Sequence, residues 1–237
     1  NGPKDLKTLS ASERKELAQE IRQAMLKRAS IHGGHFGPDF GIVEATIALH
    51  TVFDSPKDKI VWDVSHQVYP HKILTGRKQA YLEEEHYDDV SGYSNPAESE
   101  HDFFEVGHTS TSISLASGLA MARDLQGGHE NIIAVIGDGS MSGGEALEGL
   151  DTVGEMGTNM IIVLNDNQMS IAEVHGGMYK GFEELRRTGG KSEHNLFRAM
   201  GLDYRFVADG NDSEALIKVF REVKDIDHPV VVHIVTQ

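Results

Sequence analysis

The sequence predicts an α/β fold in which a mainly parallel sheet is flanked by helices on both faces. Three observations carry that expectation. The short apolar runs KIVWDV (59–64), NIIAVI (131–136), NMIIVL (159–164) and VVVHIV (230–235) show almost no polar alternation, as strands covered on both faces do. Segments with helical spacing separate these runs, the order expected of βαβ units. Two of the runs end abruptly in oxygen-bearing side chains, within VIGDGSMSGG (135–144) and VLNDNQMS (163–170).

Taken in order, Ser10-Ala11-Ser12-Glu13 has the form of a capping box, and Leu17, Ile21, Ala24, Met25 and Arg28 follow at helical spacing. HGGHFGPDFG (32–41) reads as a Gly-rich loop and IVEATIALHTVF (42–53) as a mostly buried helix. A strand at 59–64 runs into SHQVYPHK, and the polar stretch 83–105 reads as an excursion. Residues 109–125 form a helix rich in small side chains, suited to close packing on a sheet. The strand at 131–136, a helix over 143–156 and the strand at 159–164 make one βαβ unit. Helices near 180–188 and 194–200 follow, the second closed by Gly201. YRFV (204–207), a helix over 213–224 and the strand at 230–235 finish the chain. No internal repeat or linker is visible, so residues 1–237 are expected to form one domain.

Composition narrows the function. The 237 residues are 39% hydrophobic and 25% charged, ordinary values for a globular domain with a sizeable core. A net charge of −15 with no basic stripe argues against nucleic acid or an anionic membrane as partner. The absence of cysteine excludes disulfides and thiolate chemistry and fits a cytoplasmic setting. No apolar stretch approaches the roughly 18 residues of a membrane span. The chain opens on Asn1 rather than Met, so a processed chain or a fragment of a longer one is expected.

Sheet geometry joins the two oxygen-rich ends. In a βαβ unit both strands are parallel, so Asp138 and Asn167 fall at one carboxyl edge, where open α/β sheets bind ligands. Carboxylate, amide and carbonyl oxygens suit Mg²⁺ or Ca²⁺ rather than zinc. Gly139, Gly143 and Gly144 let a ligand approach the backbone, and a helix starting near 143 would offer free N–H groups to a phosphate. A diphosphate bridged by Mg²⁺ is the natural occupant.

GDG followed by NDN at this distance resembles the thiamine diphosphate signature of transketolase-like enzymes. WDVSHQVYPHKILTGR (62–77), GHTSTSIS (107–114), GDGSMSGGEALEGL (137–150) and LNDNQMSI (164–171) closely resemble the 1-deoxy-D-xylulose-5-phosphate synthase family, in order along the chain. That resemblance implies the thiamin-diphosphate-binding fold and the cofactors thiamine diphosphate and Mg²⁺. The implied reaction condenses pyruvate with glyceraldehyde 3-phosphate and releases CO₂, a step of non-mevalonate isoprenoid synthesis, in a homodimer. By the same resemblance Asp138 and Asn167 are side-chain Mg²⁺ ligands and Met169 offers its carbonyl. Gly139, Ser140 and Asn167 lie against the diphosphate. His66, Gly107, His108 and Thr109 match cofactor-contacting positions, and His35 matches a histidine facing the reacting carbon, so His35 and His66 are the expected catalytic pair.

From the residues alone, His35 is not distinguished from His32, His71 or His175, and Lys72 and Arg77 suit a phosphate or a salt bridge equally. Trp62 is expected in the core and Glu83-Glu84-Glu85 on a solvated face. The chain also departs from the family pattern. Ser65 stands where the motif usually has Gly, Thr109 where Ser is usual, and the stretch between Met169 and Phe197 is short. The pyrimidine-binding domain and its activating glutamate do not follow Gln237, so residues 1–237 alone are expected to be inactive or nearly so. Two other readings stay open: the amino-terminal subunit of a split transketolase-like ketol transferase, and a non-catalytic cofactor-binding module.

Overall fold

The computed structural model describes residues 2–170 and 172–237. Asn1 and Ile171, the last residue of LNDNQMSI, lie outside them. Five strands, β1 (Lys59–Trp62), β2 (Ile132–Gly137), β3 (Met160–Asp166), β4 (Asp203–Val207) and β5 (Pro229–Val235), form one sheet in the order β1-β2-β3-β5-β4. Every neighbouring pair is parallel. Helices α1 (Ala11–His32), α2 (Gly37–Gly41) and α3 (Val43–Val52) precede the sheet, and α4 (Tyr69–Lys72) and α5 (Gln79–Leu82) follow β1. Helix α6 (Ser112–Leu125) leads into β2, while α7 (Asp138–Met141) and α8 (Gly144–Met156) join β2 to β3. Next come α9 (Gly177–Arg187) and α10 (Leu196–Ala199), and α11 (Ser213–Val223) connects β4 to β5.

Successive strand side chains point to opposite faces, so each strand feeds two cores. Ile133, Val135, Ile161 and Val163 meet Leu49 of α3 and Phe220 of α11 on one face. Ile132, Ala134, Ile162 and Leu164 meet Ile113, Leu150 and Phe182 on the other. Two apolar coats leave little room for polar residues, which is why the strands read as nearly continuous runs; the buried His233 of β5 is tolerated because both its ring nitrogens are hydrogen-bonded. Trp62 lies in the first core. A third cluster seats Ile21 and Met25 of α1 against Ile47, Tyr69 and Tyr81. The predicted capping box starts α1: the Ser10 N–H donates to Glu13 Oε2 at 2.7 Å, and the Glu13 N–H donates back to Ser10 Oγ.

The structure departs from the predicted elements in three places. The loop expected at 32–41 is helical at both ends, leaving only residues 33–36 irregular, because α1 runs to His32 and α2 begins at Gly37. Pro38 suits a first helical turn, and Asp39 pins it by accepting the Tyr69 N–H at 2.9 Å. The helix expected from 143 begins at Gly144, but the turn α7 precedes it directly at the end of β2. Strand β3 continues to Asp166, whose carbonyl accepts the Thr236 N–H while Asn165 Oδ1 accepts the Thr236 hydroxyl.

The polar excursion is tied down by charge. Lys72, fully buried, places Nζ 2.6 Å from Glu98 Oε2, and Arg77 grips both oxygens of Asp102 at 2.7 and 2.9 Å. Both cations are therefore committed to carboxylates, which resolves the choice between phosphate binding and ion pairing in favour of pairing. Asp102 also meets His71, and His71 meets His50, each at 2.9 Å. Glu83, Glu84 and Glu85 are exposed, as expected of a solvated run. Among the described residues no helix is long and apolar enough to cross a membrane.

Candidate cofactor site

The carboxyl ends of β1, β2 and β3 meet at one edge of the sheet, and the register fixes which side chains arrive there. Gly137 pairs with Asn165, so Asp138 and Asn167 emerge side by side. They line a cavity of about 440 Å³ together with His35, His66, Thr109 and Met169. Gly139 and Ser140 sit on the same wall. Asp138 is 2% exposed and its Oδ2 has no hydrogen-bond partner. A buried carboxylate oxygen left without a donor is costly, and a cation satisfies it directly. Met169 donates its N–H to Asn167 Oδ1 at 3.0 Å, which curls the chain around that amide. Carboxylate, amide and main-chain carbonyl form an all-oxygen donor set of the kind Mg²⁺ selects. The residues present fit Mg²⁺ and a diphosphate.

Electrostatics separate the two neighbouring aspartates. Burial, reinforced by the negative charge of Asp166, pushes the Asp138 carboxyl up to about 6. Burial acts on Asp166 as well, but His233 and Arg186 outweigh it and hold that carboxyl below the usual range. Tyr204 donates to His233 Nδ1 at 2.8 Å, His233 Nε2 donates to Asp166 Oδ2 at 2.8 Å, and Arg186 adds a contact at 2.5 Å. Asp166 Oδ1 accepts the Gln168 N–H, so this chain of bonds braces the loop carrying Asn167.

The two histidines stand edge to face with ring centroids 5.8 Å apart. The Nδ1 atoms of both are buried without a partner. Burial lowers the pKa of His35 and, together with the charge of His35, that of His66, so both rings are neutral at pH 7. A neutral imidazole offers one donor and one acceptor, which suits it to holding or passing a proton.

Two expected site residues lie elsewhere. Gly107 lines a separate shallow depression with Ser91, Ser94 and Glu105. His108 is exposed, and its Nδ1 donates to the carbonyl of Thr109 at 2.7 Å. Gly143 and Gly144 also stand back from the cavity, since α7 occupies the position expected for the start of the helix. Gly143 has a different duty: a Cβ there would fall 2.0 Å from Ser110 Oγ. His32 pairs with Asp88, away from His35. His175 lines an adjoining depression with Gly139 and Tyr179.

Sequence reasoning missed the residues that hold these loops. Asp63, 1% exposed, accepts the N–H groups of Ser110 and Ser112, both at 2.9 Å, and so seats the turn that carries Thr109. Ser110 then donates to the Ser140 carbonyl at 2.7 Å, joining that turn to α7. A carboxylate one residue beyond a buried strand was the available signal for Asp63; Ser110 gave none.

The sequence profile of 1-deoxy-D-xylulose-5-phosphate synthases matches residues 1–193 and 186–236. The synthase of Desulfitobacterium hafniense strain DSM 10664 / DCB-2 is 43% identical over 99% of this chain and 43% of its own length. That of Geobacillus thermodenitrificans is 41% identical over 99% of this chain and 43% of its own length. The chain thus spans less than half the length of these relatives. The aligned span of 271 residues exceeds the 237 present here, so the relatives carry additional residues within it. The two profile segments overlap at residues 186–193, around the end of α9. Among solved structures, the transketolases of Leishmania mexicana and Campylobacter jejuni superpose with a TM-score of 0.73 each. They cover 96% of this chain and 37% and 38% of theirs at 17% and 18% identity, which shows the shared fold. On its profile match and its relatives, the chain belongs to the 1-deoxy-D-xylulose-5-phosphate synthase family.

Proposed function

We propose that this chain is the diphosphate- and Mg²⁺-binding part of a thiamine diphosphate-dependent synthase. The synthase condenses pyruvate with glyceraldehyde 3-phosphate to 1-deoxy-D-xylulose 5-phosphate and CO₂. The observation that carries the reading is the unpartnered Asp138 Oδ2, buried beside Asn167 and Met169 in a cavity that also holds His35 and His66. Asp138, Asn167 and the Met169 carbonyl would hold the metal, with Gly139 and Ser140 against the diphosphate. His66 and Thr109 line the same space. When bound, thiamine diphosphate supplies a carbon nucleophile and an electron sink for decarboxylation. The chain's own share is to fix the cofactor's charged tail and to present neutral imidazoles at His35 and His66 for proton transfer.

The pyrimidine-binding domain and a second copy of the chain are the partners the reading requires, and a cytoplasmic location goes with it. The test combines the purified chain with a polypeptide carrying the pyrimidine-binding part and follows CO₂ release from pyruvate and formation of the pentulose phosphate. Turnover should appear in the combination and vanish in Asp138→Ala. Substantial turnover by the 237-residue chain alone would refute the division of labour, and transfer from a ketose phosphate donor without use of pyruvate would refute the substrate assignment.

A further inference from the structure

Ser65 lies between Asp63 and His66 in a left-handed backbone conformation, φ +64°, directly after Val64 at φ +56°. Glycine adopts that conformation without strain, whereas a side chain is retained there against a steric penalty. The Ser65 side chain is fully buried and its hydroxyl uses both of its capacities. Oγ donates to the Val106 carbonyl at 3.0 Å and accepts the Ser94 N–H at 2.9 Å. Each of the three segments meeting at this oxygen leads to the cavity. His66 is the next residue. Tyr93, beside Ser94, sets its ring edge on His35 with centroids 5.0 Å apart. Val106 opens the stretch that reaches Thr109 within three residues.

We propose that Ser65 is a positioning residue whose hydroxyl sets His66, the Tyr93 support of His35 and the Thr109 turn at fixed distances, so that they bind the cofactor as a unit. The proposal rests on the thiamine diphosphate reading given above. Removing the hydroxyl leaves the Ser94 N–H and the Val106 carbonyl without their partner and frees the 93–106 strap, while the ion pairs of Lys72 and Arg77 still hold its middle.

Two variants separate positioning from simple stability. Ser65→Ala removes the hydroxyl and keeps the backbone penalty; Ser65→Gly removes both. Ser65→Gly should therefore melt above Ser65→Ala. Both should show about tenfold faster exchange of the Ser94 amide, unchanged protection of β2 and β3, and about tenfold weaker binding of thiamine diphosphate with MgCl₂ by calorimetry, the loss expected from one hydrogen-bonding hub. Wild-type affinity in both variants, wild-type exchange at Ser94, or recovery of affinity in Ser65→Gly alongside its melting temperature would each overturn the proposal. If the unmodified chain combined with the pyrimidine-binding polypeptide binds no thiamine diphosphate at all, the cofactor reading fails instead, and wild-type exchange at Ser94 in both variants would still overturn the role of the hydroxyl.

Discussion

Replacing Asp138 with Asn should stabilise the metal-free chain at neutral pH while removing its response to Mg²⁺. The side chain keeps its size, and the amide carries no charge into a site where the carboxylate has no donor for Oδ2. In the folded chain the Asp138 pKa is pushed from 3.8 to about 6 by burial and the charge of Asp166. A raised carboxylate pKa means the folded state holds its proton more tightly, so the associated stability is present below pH 3.8 and is lost as pH rises through 6. Fully ionised, Asp138 costs the fold at most about 3 kcal/mol, taking about 1.4 kcal/mol per pH unit. By the same relation about half of that is incurred at pH 5. A domain of this size gains roughly 2–4 °C per kcal/mol, so in EDTA at pH 7.5 the Asn variant should melt about 6–12 °C above the parent, and at pH 5 by about half as much. Adding MgCl₂ and thiamine diphosphate should raise the parent's melting temperature and leave the variant's unchanged. Calorimetric melting at both pH values, with and without Mg²⁺, checks all three statements. A variant less stable than the parent in EDTA at pH 7.5, or a gap that does not shrink with acid, would refute the account of Asp138 as a carboxylate kept buried for a cation.

The remaining predictions concern the residues around it. Gly143→Ala drives a Cβ into Ser110 and should cost about 1–3 kcal/mol in chemical denaturation. Adding Ser110→Gly should recover most of that loss, because Ser110 sits at φ +73°. Arg186→Gln removes one charged partner of Asp166 but leaves His233, so it should cost about 2 kcal/mol and loosen the Asn167 loop, readable as faster amide exchange at Gln168. Lys72→Met strips Glu98 of its closest cation and should cost about 3 kcal/mol, with limited proteolysis cutting first within residues 91–102. The lowered pKa of His66, set by burial and then by His35, has the opposite sign to that of Asp138: its contribution to stability is present above the ordinary histidine value of 6.5 and is lost as pH falls. An NMR titration placing the His66 midpoint at or above 6.5 would contradict this.

What the sequence revealed and what it hid follow from the range of the interactions involved. The strands were legible because burial on both faces removes nearly all polarity from them, His233 of β5 excepted. Asp138 and Asn167 were legible because a single helical crossover links them, so topology alone places them together. The loop at 32–41 was misjudged because its glycines suggest irregularity, while the hydrogen bond that makes residues 37–41 helical comes from Tyr69, thirty positions away. Lys72 and Arg77 had no readable partner for the same reason, since Glu98 and Asp102 lie in a stretch without periodicity. Gly107 and His108 belong to a motif that reaches the cavity through Thr109, and the motif's text does not say which of its members faces inward. Asp63 and Ser110 escaped notice, and Ser65 was visible only as a departure from the motif, because their bonds join residues 29–49 positions apart, a distance no local pattern encodes.

Helix α9 ends on Arg186 and Arg187, and the first of these braces the Asn167 loop through Asp166. The two matched segments of the family profile overlap at residues 186–193, from the last residues of α9 across two left-handed glycines, Gly189 and Gly190, that turn the chain. A length change placed there falls between the parts of the brace, with Asp166 and Arg186 upstream of it and Tyr204 and His233 downstream. Segments grown or trimmed beyond Arg187 can vary in length, while the support of the Asn167 loop is drawn from both sides of the change and meets at Asp166.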